Sequence, residues 1–300
     1  MGASIAASVL FGVLFFLPPY MYPMDGFAVF GWRVAISLPV VFAIFAVTGR
    51  LPGIAAVLRR IARRPVLGLV IVVDGLLMGV QTWLFGWAPQ NGHGLDTALG
   101  YLLLPLVMVV LGVTVHREQM SVLRGVAVSC AAIGVIAAVI LAGGLSWSTL
   151  VVAGGYPLYF LIRRRFGLDT SGALFLEFVV LFPIAIVFLA AGGAVSTLAD
   201  SPRLIPIVVL FGLLGAVAMT SYLLASRVLP FGLFGLLTYL EPVLLVVVSI
   251  LFLGEALGFA DAFVYGPIVA ALVLLGVEST RQREPQQIRE APQLESAVSR

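Results

Sequence analysis

Ten apolar runs, each separated from the next by charged, glycine or proline residues, make up almost the whole chain. They cover about Ala3–Pro19, Gly26–Thr48, Pro65–Ala88, Leu95–Val115, Val122–Ala142, Trp147–Ile162, Ser171–Ala191, Leu204–Ser226, Phe231–Leu253 and Leu257–Val277. A helix of ~20 residues rising ~1.5 Å per residue matches a hydrocarbon core of ~30 Å, so each run is predicted to be a transmembrane helix. Short connections make consecutive helices antiparallel neighbours. Only the end departs from the pattern. From Ser279 the chain is rich in Gln, Glu, Arg and Pro, cannot bury a core, and is expected to be a disordered tail over 279–300. The expected class is an all-α polytopic membrane protein of ten transmembrane helices.

The pattern is also internally repetitive. In the run Leu236–Glu255, Glu241 and Pro242 sit near the middle and Glu255 closes the end. Pro105 and Glu118 stand in the first half at the same separation as Pro242 and Glu255. A second register relates Asp25, Arg33 and Pro39 to Asp169, Glu177 and Pro183. The halves are therefore about 1–142 and 143–278, with five spans each. An odd number of crossings makes the second half enter from the opposite side, an inverted 5+5 repeat. Many secondary transporters are built this way, with two gates around a midplane site.

Composition agrees with lipid as the solvent. The chain is 61% hydrophobic and 10% charged, with a mean hydropathy of +1.15. All 17 basic residues are arginine. With the N-terminus inside, every arginine except Arg33, within a span, and Arg203, in an outer loop, falls on the cytoplasmic side. The positive-inside rule then places both termini in the cytoplasm, in the cell (inner) membrane. The net charge of +3 is thus a topology signal and gives no reason to expect nucleic acid. The single cysteine, Cys130, excludes an intrachain disulfide and any Cys-rich metal site. The N-terminus lacks a basic n-region, so its first apolar run is expected to be retained.

At Leu240-Glu241-Pro242-Val243, followed by Leu253-Gly254-Glu255, the chain resembles the EamA-type half-domains of the drug/metabolite transporter superfamily. Asn91-Gly92-His93, Leu99-Gly100-Tyr101 and Pro105 resemble its RarD branch and the YddG-like amino-acid exporters. The first half departs from the pattern at His116-Arg117-Glu118, where Leu-Gly-Glu is usual, and at Leu104-Pro105, where Asn-Pro is usual. The resemblance implies ten helices, cytoplasmic termini and export of small metabolites through a central cavity, with amino acids, including aromatic ones, among the substrates.

An ionisable group at mid-membrane costs at least ~2.5–3.5 kcal/mol and demands a polar or aqueous neighbour. Four groups qualify: Arg33, Asp74, Glu177 and Glu241. Arg33 and Glu177 occupy equivalent repeat positions with opposite charge. They form an internal ion pair between the halves, or Arg33 orients a substrate carboxylate with its planar fork of donors. Glu241 either satisfies the backbone freed by Pro242 or lines the cavity opposite a substrate ammonium group. Asp74 shares a helix face with Met78, Gln81 and Phe85, a face too polar for lipid. One base against three acids favours zwitterions or cations over sugar phosphates. Trp83, Tyr101, Tyr156 and Tyr239 are further cavity candidates beside a reading as packing or interfacial belt. Pro105 and Pro242 are expected to kink their helices beside the site and to allow gating. His93 and Asp96 read as loop capping. No nucleotide-binding loop or metal signature is present, so no cofactor and no metal are expected.

The expected function is a secondary-active or facilitative exporter of small zwitterionic metabolites, amino acids first, working by alternating access. A multidrug or lipophilic-cation exporter of the same fold is the alternative. A membrane-embedded enzyme or lipid-handling protein is the rival of another class, disfavoured because the ionisable groups are spread singly over four helices. The expected partners are the small-molecule substrate and the lipid bilayer, and a monomer would hold a complete pathway.

Overall fold

The computed structural model describes residues 2–116, 121–141, 144–228 and 240–281. These form twelve α-helices and no strand, with short 3-10 turns at Pro18–Met21 and Pro202–Leu204. In chain order the helices are α1 (Gly2–Phe16), α2 (Gly26–Val47), α3 (Leu51–Arg63), α4 (Val66–Gln90), α5 (Gly94–His116), α6 (Val122–Leu141), α7 (Trp147–Phe166), α8 (Ser171–Ala191), α9 (Ala194–Asp200), α10 (Ile205–Val228), α11 (Leu240–Leu251) and α12 (Phe259–Arg281). Among the described residues, six segments are long and apolar enough to cross a membrane: Gly26–Val47, Val66–Gln90, Gly94–Leu111, Ser171–Ala191, Pro202–Ser221 and Phe259–Val277. The apolar stretches of α1, α6 and α11 are shorter, Ala6–Phe16, Gly125–Ala138 and Leu240–Leu251. Outward-facing Leu69, Val187 and Val273 are each 60% exposed or more, a surface suited to lipid and a liability in water.

Local chemistry sets several helix ends. Asp25 caps α2 by accepting from the Ala28 N–H at 2.8 Å, and Thr170 caps α8 by accepting from Ala173 at 3.2 Å. Glu255, the acid that closes the repeated motif, accepts from Gly94 N (2.7 Å) and Leu95 N (2.6 Å). It thus neutralises the N-terminus of α5, where a carboxylate meets both free N–H groups and the positive end of the helix dipole. Helix α7 ends at Gly167, whose φ of +60° is a left-handed conformation that glycine adopts without strain.

The core forms where these helices cross. α1 packs on α10 and α11, α7 on α4 and α5, α2 on α8 and α10, and α8 on α4. α6 and α12 pair at one side and join the bundle through α5. A Cβ at Gly134 of α6 would lie 2.7 Å from both Ile268 Cγ1 and the Val264 carbonyl of α12, so only glycine permits this approach.

Two helices lie in stretches expected to be connections. α3 places Ile54 and Val57 inward, with Leu51 and Ile61 half-buried at the same helical spacing, and exposes Arg59, Arg60 and Arg63. Thirteen residues with this division are too short and too charged to cross lipid, and they pack against α8 and α4. α9 is a seven-residue helix following α8. The residues before Leu240 in the expected ninth span, and the 282–300 portion of the tail, lie outside the described residues.

Candidate functional site

Arg33 projects from the second turn of α2. Its guanidinium carbon lies 5.3 Å from the ring centre of Phe85 on α4 and 5.6 Å from that of Phe211 on α10. Two aromatic faces hold a cation by quadrupole attraction without consuming its N–H donors. One turn on, Ser37 donates to the Gly212 carbonyl at 2.9 Å, and a Cβ at Gly215 would lie 3.2 Å from both Arg33 Nε and Ser37 Oγ. The bare backbone of α10 therefore makes room for the arginine. Among the described residues, Arg33 Nη1 is buried and has no hydrogen-bond partner.

Three further groups share the charge environment of Arg33: Tyr101 of α5, Tyr156 of α7 and Glu241 of α11. The two phenols lie 3.1 Å apart, oxygen to oxygen, and Phe85 meets the Tyr101 ring edge-on at 5.9 Å. Glu241 interacts through space with Arg33, but among the described residues the two make no ion pair within contact distance. Six helices thus deliver a base, an acid, two phenols and two phenyl faces to one place. Gln81, one turn before Phe85, donates to the Val151 carbonyl at 2.8 Å; its Nε2 lies 2.1 Å from where a Cβ on Gly155 would be. Its Oε1 is buried without a partner among the described residues.

A second charged cluster lies nearer the arginine-rich end. Arg163 donates from Nη1 to Glu177 Oε1 and to Tyr159 Oη (3.0 Å), and from Nη2 to the Thr170 carbonyl at 3.2 Å. Tyr159 donates to Glu177 Oε2 at 2.8 Å. Arg163 and Glu177 are 3% and 0% exposed. Glu177 is therefore not the partner of Arg33: the long side chains of Tyr159 and Arg163, one turn apart on α7, reach across to it, although α8 packs mainly on α2, α4 and α3. Asp74 is also fully buried and shares this cluster's charge environment through Arg163, Tyr159 and Glu177. Neither of its oxygens has a partner among the described residues.

The remaining candidates fall elsewhere. Met78 packs in the core with Phe30, Val34, Tyr159, Leu174 and Phe178. Trp83 belongs to a stack with Phe27, Trp87 and Trp147, at centroid distances of 5.4, 5.5 and 6.3 Å. His93 lies against Trp87 at 5.1 Å and is 2.9 Å from Asp96. Pro105 lies within α5, and buried Pro242 is the third residue of α11. Tyr239 lies outside the described residues, as does the turn that precedes Pro242. Arg163, Phe85 and Phe211 are not among the site residues expected from the sequence. For Arg163 a signal existed, since Tyr156, Tyr159 and Arg163 share one face of α7 at helical spacing; for Phe211 none did.

No family model matches the chain. It is 39% identical over 282 residues to the chloramphenicol-sensitive protein RarD of Pseudomonas aeruginosa, covering 93% of each chain. The chain belongs to the RarD-like transporters of the drug/metabolite type. This RarD-like chain is also 34% identical over 285 residues to an uncharacterized transporter of Haemophilus influenzae, 95% of each. It is 25% identical over 225 residues to protein RarD of Escherichia coli, 74% of this chain and 76% of the relative. A solved crystal structure superposes with a TM-score of 0.57 over 93% of this chain and 97% of its own, at 17% identity, a likeness of fold alone. With these relatives and its apolar helices, the RarD-like chain is a multi-pass membrane transporter. Among the described residues no three His, Cys, Asp or Glu side chains converge as metal ligands would.

Proposed function

We propose that this transporter exports small zwitterions, foremost amino acids with apolar or aromatic side chains, from the cytoplasm through the Arg33 chamber. One observation carries the reading: a cation held between phenyl faces, with its Nη1 lacking a partner among the described residues, shares its charge environment with an acid to which it is not paired. A substrate carboxylate completes the arginine through its planar fork, and a substrate ammonium group meets Glu241. Phe85, Phe211, Tyr101 and Tyr156 offer faces to an apolar side chain, and the two phenols supply hydroxyls for orientation.

Alternating access by an inverted 5+5 repeat over 1–142 and 143–278 is supported by the packing scheme. Exchanging α1 with α7, α2 with α8, α4 with α10 and α5 with α11 turns the contacts α1–α10, α1–α11 and α2–α10 into α7–α4, α7–α5 and α8–α4, all of which occur. Pro39 and Pro183 lie inside α2 and α8, which pack on one another. The arginines of α3 and of the last turn of α7 support a cytoplasmic face at that end, hence cytoplasmic termini and an inner-membrane location.

A lipophilic cation is the second reading, favoured by the aromatic walls and Glu241 but opposed by the positive charge of Arg33 in the same space. The printed name of the Pseudomonas relative ties that protein to chloramphenicol sensitivity, so chloramphenicol belongs in a competition panel. Counterflow of radiolabelled phenylalanine and leucine into proteoliposomes tests the proposal. Accumulation of label against unlabelled amino acid, competed by other zwitterions, is expected. Counterflow of a lipophilic cation with none of an amino acid would overturn it.

A further inference from the structure

Arg60 and Arg63 of α3, Arg64 just beyond it, and Arg165 in the last turn of α7 converge on a cleft of about 400 Å³, completed by Leu67 and Phe166. We propose that this cleft is a binding site for the phosphodiester headgroup of an anionic phospholipid, with an acyl chain lying along α4. The four cations are not equivalent. Arg60 donates to the carbonyls of Gly167 (2.6 Å) and Phe166 (2.9 Å), which fastens α3 to the end of α7 and satisfies carbonyls that a helix C-terminus leaves free. Arg63, Arg64 and Arg165 are exposed, and none is paired with a carboxylate of the described residues. The neighbouring acid, Asp169, lies 3.9 Å from Arg163.

Three free guanidinium groups around one cleft repel each other unless an anion sits among them. A phosphate ester suits them, because each guanidinium offers paired N–H donors to two of its oxygens.

A second feature identifies the source of that phosphate. From the mouth of the cleft, Val66, Leu69, Val73, Leu76 and Val80 follow one another along α4 at helical spacing, and all are exposed. This apolar stripe begins where the arginines end and runs along the bundle. A free anion has no use for it, whereas a lipid bound by its headgroup lays its chain there. The short amphipathic α3, apolar where it packs on α8 and α4 and basic on its exposed face, has the division of a helix that lies in a headgroup layer.

Native mass spectrometry of the full chain, released from detergent after equilibration with phosphatidylglycerol and phosphatidylcholine of matched chains, tests the proposal. One phosphatidylglycerol molecule should be retained in preference to phosphatidylcholine. Arg63→Gln, Arg64→Gln and Arg165→Gln should each weaken retention about fivefold, and the triple substitution should abolish the preference. The single variants alter exposed side chains only, so they report even where the triple variant fails to fold. Leu69→Gln should weaken phosphatidylglycerol retention while leaving the arginines intact. Equal retention by wild type and the single arginine variants would overturn the proposal. Displacement of the lipid by millimolar inorganic phosphate, with Leu69→Gln silent, would overturn the lipid assignment.

Discussion

Arg163 and Arg33 each lie among apolar helices with an acid from another helix nearby, yet their surroundings differ in kind. Arg163 makes hydrogen bonds to Glu177, Tyr159 and the Thr170 carbonyl, and Glu177 takes a second bond from Tyr159. Arg33 is held by the faces of Phe85 and Phe211, with its buried Nη1 unmet among the described residues. A buried ion pair gives little net stability, but removing one member strands the other charge at high cost. A cation held by quadrupoles retains donors for a partner that comes and goes. The first arrangement suits a clasp within the fold, and the second a site.

The sharpest break of this contrast is to remove each arginine in turn. Arg163→Leu leaves Glu177 buried and unpaired and should destabilise the protein by ~3–5 kcal/mol, seen as loss of monodisperse protein and a lowered melting temperature. The double variant Arg163→Leu, Glu177→Leu should recover most of that loss, because two apolar side chains replace the pair together. Arg33→Gln should leave melting nearly unchanged while amino-acid counterflow falls about 30-fold or more, the effect of removing one charge from a desolvated pair. Arg33→Lys should not restore it, since a point charge lacks the planar fork. A melting defect in Arg33→Gln as large as that in Arg163→Leu would mean that both arginines are clasps.

Glu241→Gln asks the same of the acid. Transport should fall about tenfold, with insertion and melting largely intact, because Glu241 has no ion pair to lose among the described residues. Wild-type flux in this variant would assign the acid a structural role.

What the sequence reveals of this contrast follows from energetics. Arg33, Asp74, Glu177 and Glu241 stand out because charge inside an apolar run demands a reason, whatever the packing. The apolar runs themselves locate most of the helices, and Glu255 is conspicuous as the terminal acid of a repeated motif. Partner choice is a property of helix phase and neighbour, which spacing along one chain does not carry. Arg163, Arg164 and Arg165 read alike as topology arginines, but the first points inward and the others outward. Repeat register pairs Glu177 with Arg33, whereas the contact is made by the long side chains of Arg163 and Tyr159 on α7. α3 leaves no apolar run in the sequence, because its inward face is only Leu51, Ile54, Val57 and Ile61. Glu255 serves as the cap of α5, a role that needs the structure to see.

The smallest expected effect is also the most discriminating, because it changes a single hydroxyl on each side of the comparison. Tyr156 and Tyr159 are neighbours on α7, and each hydroxyl has a described partner: Tyr156 meets Tyr101, and Tyr159 bridges Arg163 and Glu177. Tyr159→Phe deprives a buried carboxylate of a donor and should lower stability by ~1.5–3 kcal/mol, with little change in the apparent KM of the folded fraction. Tyr156→Phe removes a hydroxyl from a neutral pair beside Arg33, worth ~0.5–1.5 kcal/mol, and should raise the apparent KM about two- to tenfold with melting unchanged. Thermal melts and counterflow on the same preparations read both. If the two substitutions shift the same quantity, the chamber and the clasp are one network spanning α7; if each shifts its own, they are separate devices on adjacent turns of one helix.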